Sequence, residues 1–191
     1  MPLEKPIPRN CISTPDFYLC PVDDFLLFTG FTCGNDDLDD FLHNDAAKHA
    51  RELIAKTYVM HARKVETLSP PIAFVSLMND ALPVEARFKK TMPNRCRYDT
   101  YPAVKIGRLG VRCEIQRSGV GRSLLNLLKV FFLTDNRTGC RFVTVDAYND
   151  TPTTSFYQSN GFDFLVEDDS DSDTRAMYFD LRRFKVGSTE K

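Results

Sequence analysis

Gln116-Arg117-Ser118-Gly119-Val120-Gly121 is the stretch of this chain whose residue types and spacing best suit chemistry. It lies between an alternating apolar run, 103–111, and a leucine-rich run that begins at Val120. A strand, a glycine turn and a helix start in succession leave several backbone N–H groups without intrahelical acceptors, at the positive end of the helix dipole. Gly119 and Gly121 carry no Cβ to keep a ligand off that backbone, and they permit angles other residues resist. Successive N–H groups from Arg117 to Arg122 would therefore suit a diphosphate, and the Arg117 and Arg122 side chains add charge. Close helix packing would use the same glycines equally well. No Gly-Lys-Ser/Thr follows, so the turn is not a P-loop; a dinucleotide fingerprint would need a third glycine and an acidic residue about 20 positions on at a strand end, both absent.

The flanking elements must hold this turn. Ala103, Lys105, Gly107 and Leu109 alternate with Val104, Ile106 and Arg108, the pattern of a central strand. Val120, Leu124, Leu125, Leu128, Phe131 and Phe132 form the apolar stripe of a helix that fades near Asp135. The β-branched run 141–148 is the next strand. Asn149-Asp150-Thr151-Pro152 then opens a short helix that Asn160-Gly161 stops. A strand over 162–166, a solvated acidic turn over 167–173 and a last strand over 175–181 complete the C-terminal part, with a frayed tail beyond Lys185. Upstream, residues 1–17 read as an extended arm, with a first short strand near 24–29. Asn35 caps a helix whose first turns hold Asp36, Asp37, Asp39 and Asp40 and whose buried face is Leu38, Phe41, Leu42, His49, Leu53 and Ile54. Strands over 57–62 and 72–78 form a hairpin. The irregular segment 79–102 concentrates Arg87, Lys89, Lys90, Arg95 and Arg97, which suits either a solvated excursion or a basic wall beside a substrate channel.

At 191 residues the chain fits one domain, 1–191, and its 42% hydrophobic and 27% charged residues are ordinary globular values. A net charge of −1 gives no global nucleic-acid or membrane signal, and no apolar run approaches the ~18 residues of a membrane span. The first ten residues lack an apolar core, so no export signal is expected and the location expected is cytoplasmic. Six cysteines without C-x-x-C spacing then read as reduced core thiols, and no metal site is expected.

Gln116-x-x-Gly119-x-Gly121 after a strand and before a long helix, followed by a strand, Asn149 and Phe156-Tyr157-x-x-x-Gly161-Phe162, resembles the GCN5-related N-acetyltransferase (GNAT) family. The resemblance runs from about Cys33 to the last strand. It implies an α/β (α+β) fold: a twisted, mixed, mostly antiparallel sheet of about six or seven strands, splayed at its central strands and flanked by helices. It also implies acetyl-coenzyme A (acetyl-CoA) as cosubstrate. Leu109, Gly110 and Val111 would pair their backbone with the pantetheine arm. Gln116, Arg117, Ser118, Gly119, Val120, Gly121, Arg122 and Ser123 would form the pyrophosphate loop, Asn149 would contact the coenzyme, and Tyr157 would protonate the departing thiolate. Tyr157 as a plain core aromatic and Asn149 as a plain helix cap are the structural alternatives.

The reaction so implied is direct attack of a neutral amine on a thioester in a ternary complex. An amine of pKa about 7.8 is roughly 15% neutral at pH 7, whereas a lysine is only about 0.04% neutral. Asp99, Glu114 and Asp146 are the carboxylates nearest in sequence, and none carries a base motif. An α-amine with water relaying its proton is the simplest acceptor. Phe31-x-Cys33-Gly34-Asn35-x-x-Leu38-Asp39-x-Phe41-Leu42, with Tyr101-Pro102-Ala103-Val104 and Ile106-Gly107-Arg108-Leu109-Gly110-Val111, is similar to the toxin branch of the family. That branch implies aminoacyl-tRNA as acceptor, met here by the Arg87–Arg97 basic residues, and a ribbon-helix-helix antitoxin as partner; a homodimer is a further expected assembly. The near-neutral charge and the acidic 167–173 run depart from those basic toxins and leave a small-molecule or protein amine open as the acceptor. A non-catalytic module that binds coenzyme A or a partner is the reading from another class.

Overall fold

Alternating apolar residues build one sheet, and the hairpins and crossovers between them set its order. A computed structural model describes residues 11–22, 28, 30–63, 68–83, 98–134, 136, 139–166 and 169–185. Its strands are β1 (Ile12–Ser13), β2 (Phe17–Pro21), β3 (Lys56–Arg63), β4 (Leu68–Pro83), β5 (Thr100–Val111), β6 (Phe142–Tyr148), β7 (Asp163–Phe164) and β8 (Thr174–Asp180). They lie in the order β1-β2-β3-β4-β5-β6-β8-β7. The β5–β6 pair is parallel, and the β1–β2, β2–β3, β3–β4, β6–β8 and β7–β8 pairs are antiparallel. The mixed, mostly antiparallel α/β architecture matches expectation, with eight strands where six or seven were expected. Part of the surplus comes from the N-terminal arm, where residues 12–21 fold back as a hairpin instead of running extended. The strand expected at 24–29 lies, apart from Phe28, outside the described residues.

That hairpin overturns the expectation of reduced thiols. Ile12 faces Leu19 and Ser13 faces Tyr18, so one step further Cys11 and Cys20 fall opposite each other. They are joined as a disulfide, with Cα atoms 4.2 Å apart. Their spacing in sequence carried no motif; only the register brings them together. Cys33, Cys113 and Cys140 are free.

Backbone contacts gather the chain into two compact units, residues 1–78 with 107–131 and residues 79–106 with 132–191. In the first, α1 (Asp36–Asp40) starts at Asn35, whose side chain accepts from Leu38 N–H at 3.1 Å as the sequence implies. A π-helical turn (Phe41–Asp45) then leads into α2 (Ala46–Arg51). Phe41, Leu42 and Ala46 are the buried residues of this helical run, with Leu38 and His49 half-buried beside them and the His49 ring edge-on to Phe41 at 5.4 Å. Helix α2 ends before Leu53, which has φ 58° and is 91% exposed, while Ile54 is 53% exposed. The expected burial of those two residues is therefore corrected. Tyr18, Phe31, Phe41, Val59 and Phe74 form the core here, with Phe31 edge-on to Phe74 at 5.7 Å. Helix α3 (Val120–Thr134) buries Leu124, Leu125, Leu127 and Leu128.

In the second unit β6 pairs with β8 along its whole length, from Phe142–Asp180 to Tyr148–Thr174. Phe142 stacks between Tyr101 (6.3 Å) and Tyr178 (6.0 Å) in a core with Leu82 and Ala103. Arg141 and Asp180 close that core with a bidentate pair, both bonds 2.7 Å. The β5–β6 ladder runs from Ala103–Phe142 to Ile106–Val145 and stops there, although β5 continues to Val111 and β6 to Tyr148. The last two expected strands are present, the first of them cut to two residues as β7.

Candidate functional site

The sequence-derived site residues fall into two groups, one in each unit. In the first unit β5 carries Leu109 and Val111, both half-buried, around a buried Gly110. A Cβ on Gly110 would lie 2.5 Å from the Phe74 ring and 3.2 Å from Cys33, so that glycine is required by packing. After β5 a 3₁₀ turn (Cys113–Ile115) leads into the anion loop. The Gln116 amide donates to Cys33 O at 2.7 Å and Val111 O at 3.1 Å, which ties the loop to the strand end and to segment 32–35. Both amide hydrogens are thereby used, so the Gln116 side chain holds the loop's shape. Ser118 Oγ donates to Ile115 O at 2.6 Å.

Arg117 (φ 60°) and Gly119 (φ 92°) then turn the backbone through the left-handed region. The first helical bond is Ser123 N–H to Gly119 O, 3.0 Å. Among the described residues no carbonyl accepts from the N–H groups of Arg117, Ser118, Gly119, Val120, Gly121 or Arg122, and neither arginine side chain has an ion-pair partner. A Cβ on Gly119 would meet nothing within 4 Å, so open space stands before these donors. Six N–H groups and two guanidinium groups without a partner among the described residues, facing open space, fit a diphosphate in donor count, charge and room.

Sequence reasoning missed what braces this loop. Asp39 accepts from Thr32 Oγ1 (2.6 Å) and Cys33 N–H (2.8 Å). Burial pushes its carboxyl up, but those hydrogen bonds outweigh burial and leave it below the ordinary value. Arg112 donates to Pro71 O (2.9 Å) and Gly30 O (3.2 Å) and lies over the Phe31 ring at 5.2 Å. Burial pushes the Cys33 thiol up to about 12. Cys33 and Asp39 fall within the Phe31–Leu42 motif, and Asp39 reaches partners only six and seven residues back; Arg112, whose partners lie 41 and 82 residues back, carries no local signal.

In the second unit α4 (Thr151–Ser159) carries Tyr157. Asp150 is its N-cap, accepting from Thr153 N–H at 2.7 Å, and Gly161 (φ 85°) ends it. At 6% exposure the Tyr157 ring packs edge-on against Phe156 (5.1 Å) and Phe162 (5.3 Å). Its hydroxyl has no hydrogen-bond partner among the described residues. Burial pushes the phenol well above the ordinary tyrosine range, so it holds its proton at neutral pH. Asn149 is not the cap. Its amide donates to Ser170 O (2.6 Å) and Ser172 O (2.8 Å), and its N–H donates to Asp173 O (2.9 Å).

The acidic turn is thus less free than its composition implies. Asp169 pairs with Arg175 and accepts from Ala176 N–H, while Asp171 and Asp173 are exposed. Asp146 pairs with Lys105, and Asp99 and Glu114 are exposed. Arg87, Lys89, Lys90, Arg95 and Arg97 lie outside the described residues. Among the described residues no group of three or more His, Cys, Asp or Glu side chains is set to hold a metal ion, and no helix is long and apolar enough to cross a membrane.

No protein-family model matches the chain. Solved structures do. A tyrosine-to-phenylalanine mutant of KacT shares 19% identity at TM-score 0.70, over 88% of this chain and 96% of its own. AtaT complexed with acetyl-methionyl-tRNAfMet shares 21% identity at TM-score 0.68, over 88% and 96%. A tyrosine-to-phenylalanine mutant of the AtaT toxin, bound to the C-terminus of the antitoxin AtaR and to acetyl-CoA, shares 21% identity at TM-score 0.66, over 88% and 95%. The strand order, the parallel β5–β6 pair and these likenesses together identify the fold of this chain as that of the GCN5-related N-acetyltransferases, in the form found in KacT and AtaT.

Proposed function

We propose that the 191 residues act as a single acetyl-CoA-dependent N-acetyltransferase domain that modifies the α-amine of aminoacyl-tRNA, as a toxin. The observation that supports this most is the fold shared across 88% of the chain with AtaT, a protein seen with acetyl-methionyl-tRNAfMet. The free N–H groups of Arg117–Arg122 add support at the donor end.

The bound coenzyme supplies an activated acetyl thioester. The loop N–H groups and the side chains of Arg117 and Arg122 hold its diphosphate, and the backbone of Leu109, Gly110 and Val111 aligns the pantetheine amides. The acceptor amine enters neutral, having lost its proton to water, and attacks the acetyl carbon. As the new C–N bond forms and the C–S bond breaks, the Tyr157 phenol gives its proton to the leaving sulfur; the proton lost from the nitrogen passes to solvent, and solvent returns one to the phenolate, restoring Tyr157 for the next turnover. A hydroxyl that has no partner among the described residues and is protonated at neutral pH suits that role. Arg87, Lys89, Lys90, Arg95 and Arg97 contact the tRNA phosphates. The proposed protein partners are a ribbon-helix-helix antitoxin and a second copy of the chain, and the site of action is the cytoplasm, where charged tRNA is.

Labelled acetyl-CoA incubated with bulk aminoacylated tRNA tests the reading. Label should appear on the α-amine with the wild type and be lost with Tyr157→Phe. The chain's charge of −1 favours a second acceptor class, a small-molecule or protein amine. Thiol release with polyamines or lysine peptides, and none with charged tRNA, would select it. Binding without turnover on every acceptor would leave a coenzyme-binding module.

A further inference from the structure

We infer that Asn149 serves the reaction by positioning Tyr157 rather than by donating to the coenzyme; the inference rests on the acetyltransferase reading above. An asparagine amide has two hydrogens to donate, and here both are committed, to Ser170 O at 2.6 Å and Ser172 O at 2.8 Å. The backbone N–H of the same residue goes to Asp173 O at 2.9 Å. Three bonds from one residue clamp segment 170–173 to the end of β6. The far side of that segment is fastened as well, since Asp169 pairs with Arg175, whose guanidinium lies 4.1 Å from the Phe164 ring centre. Asn149 is therefore the fixed post at the junction of strand and helix.

The next residue, Asp150, caps α4 through Thr153 N–H, Thr153 Oγ1 (2.9 Å) and, with its carbonyl, Thr154 Oγ1 (2.8 Å). Helix α4 has nine residues, so the ends set its direction. Tyr157 stands six residues beyond Thr151, about 9 Å along the axis, and a tilt of ~10° at the junction would move it by ~1.6 Å. A misplacement of about 1 Å at a reacting group costs on the order of 100-fold in rate. The clamp thus acts on the proton donor through the helix.

The isosteric change Asn149→Asp separates the two roles. It keeps the acceptor oxygen a coenzyme contact could still use, but it turns a carboxylate toward two carbonyls in place of the donor. Thiol release from acetyl-CoA with bulk aminoacylated tRNA is measured for Asn149→Asp and Asn149→Ser, each alone and combined with Tyr157→Phe; coenzyme A affinity is measured by calorimetry. The expected result is a 10- to 100-fold loss of kcat in Asn149→Asp, on the order of that misplacement cost. A smaller loss is expected in Asn149→Ser, whose hydroxyl can restore one bond, with coenzyme affinity within about twofold of wild type in both. In the Tyr157→Phe background neither change should lower kcat further. Weakened coenzyme binding with kcat retained, wild-type kcat in Asn149→Asp, or a full additional loss in Tyr157→Phe would each overturn the inference. Wild-type turnover by Tyr157→Phe itself would instead overturn the reading of the phenol, and this inference with it.

Discussion

Replacing Gly119 by leucine separates anion binding from folding. The residue turns at φ 92°, and a Cβ added there meets no protein atom within 4 Å. The cost to the fold is thus the left-handed backbone alone, about 1–2 kcal/mol for an L-residue. For a chain of this size that is a fall in melting temperature of roughly 2–8 °C. The cost to binding is larger, because the side chain occupies the space before the free N–H groups of Arg117–Arg122. Losing two charge-assisted hydrogen bonds of about 1.5–3 kcal/mol each removes ~3–6 kcal/mol. At 1.4 kcal/mol per decade this is roughly 10²- to 10⁴-fold in affinity. Calorimetric titration with coenzyme A, on protein whose melting temperature has shifted only by the amount above, reads the effect directly. Affinity equal to wild type in a folded Gly119→Leu protein would show that the diphosphate binds elsewhere, and the assignment of the loop would fall.

The phenol gives a pH prediction. Burial raises the folded-state pKa of Tyr157 above its unfolded value near 10, so the folded form binds its proton more tightly and the associated stability is present below about pH 10 and lost as pH rises beyond it. Activity should accordingly show no fall from phenol ionisation between pH 7 and about 10, and Tyr157→Phe should unfold at higher pH than wild type; a falling limb near pH 8 that vanishes in that variant would refute this. With its thiol pushed up to about 12, Cys33 in the folded protein should react with iodoacetamide at pH 8 about 10³-fold more slowly than free cysteine. Peptide mapping of a time course would show this, with labelling of the exposed Cys113 well ahead. Arg141→Ala strips the bidentate partner from Asp180, a mostly buried carboxylate, and should cost about 3–5 kcal/mol in denaturant unfolding. Arg141→Met with Asp180→Leu should recover most of that loss, and an additive loss instead would mean the pair is not the cause.

The glycine turn was legible because its geometry is local. Strand, turn, glycines and helix start are contiguous, so residue order alone predicts where the free N–H groups fall. The Asn35 cap, the helix start at Asp150 and the Gly161 stop were readable for the same reason. The features that escaped depend on partners far apart in sequence. Asn149 bonds to carbonyls more than 20 residues away, and Arg112 reaches Gly30, 82 positions back. The expected burial of Leu53 and Ile54 failed because α2 ends at Arg51, whereas His49, beyond the π-helical turn, does lie edge-on to Phe41 at 5.4 Å. Tyr157 carries no signal of its own: Phe156-Tyr157 reads as core aromatics, and its proposed role rests on the family resemblance.

The Cys11–Cys20 bond sits in the outermost hairpin, where β1 offers two residues of edge. Closing a loop of about ten residues contributes on the order of 2–3 kcal/mol. A short strand stapled over β2 keeps that five-residue strand from presenting its outer N–H and C=O groups as a template for other chains. A reducing cytoplasm, like a strong thiol reductant in handling, would release the staple and uncover that edge. Sample history would then govern colloidal behaviour: lots kept oxidised should stay monodisperse, and reduced lots should form strand-paired aggregates while the anion loop remains intact.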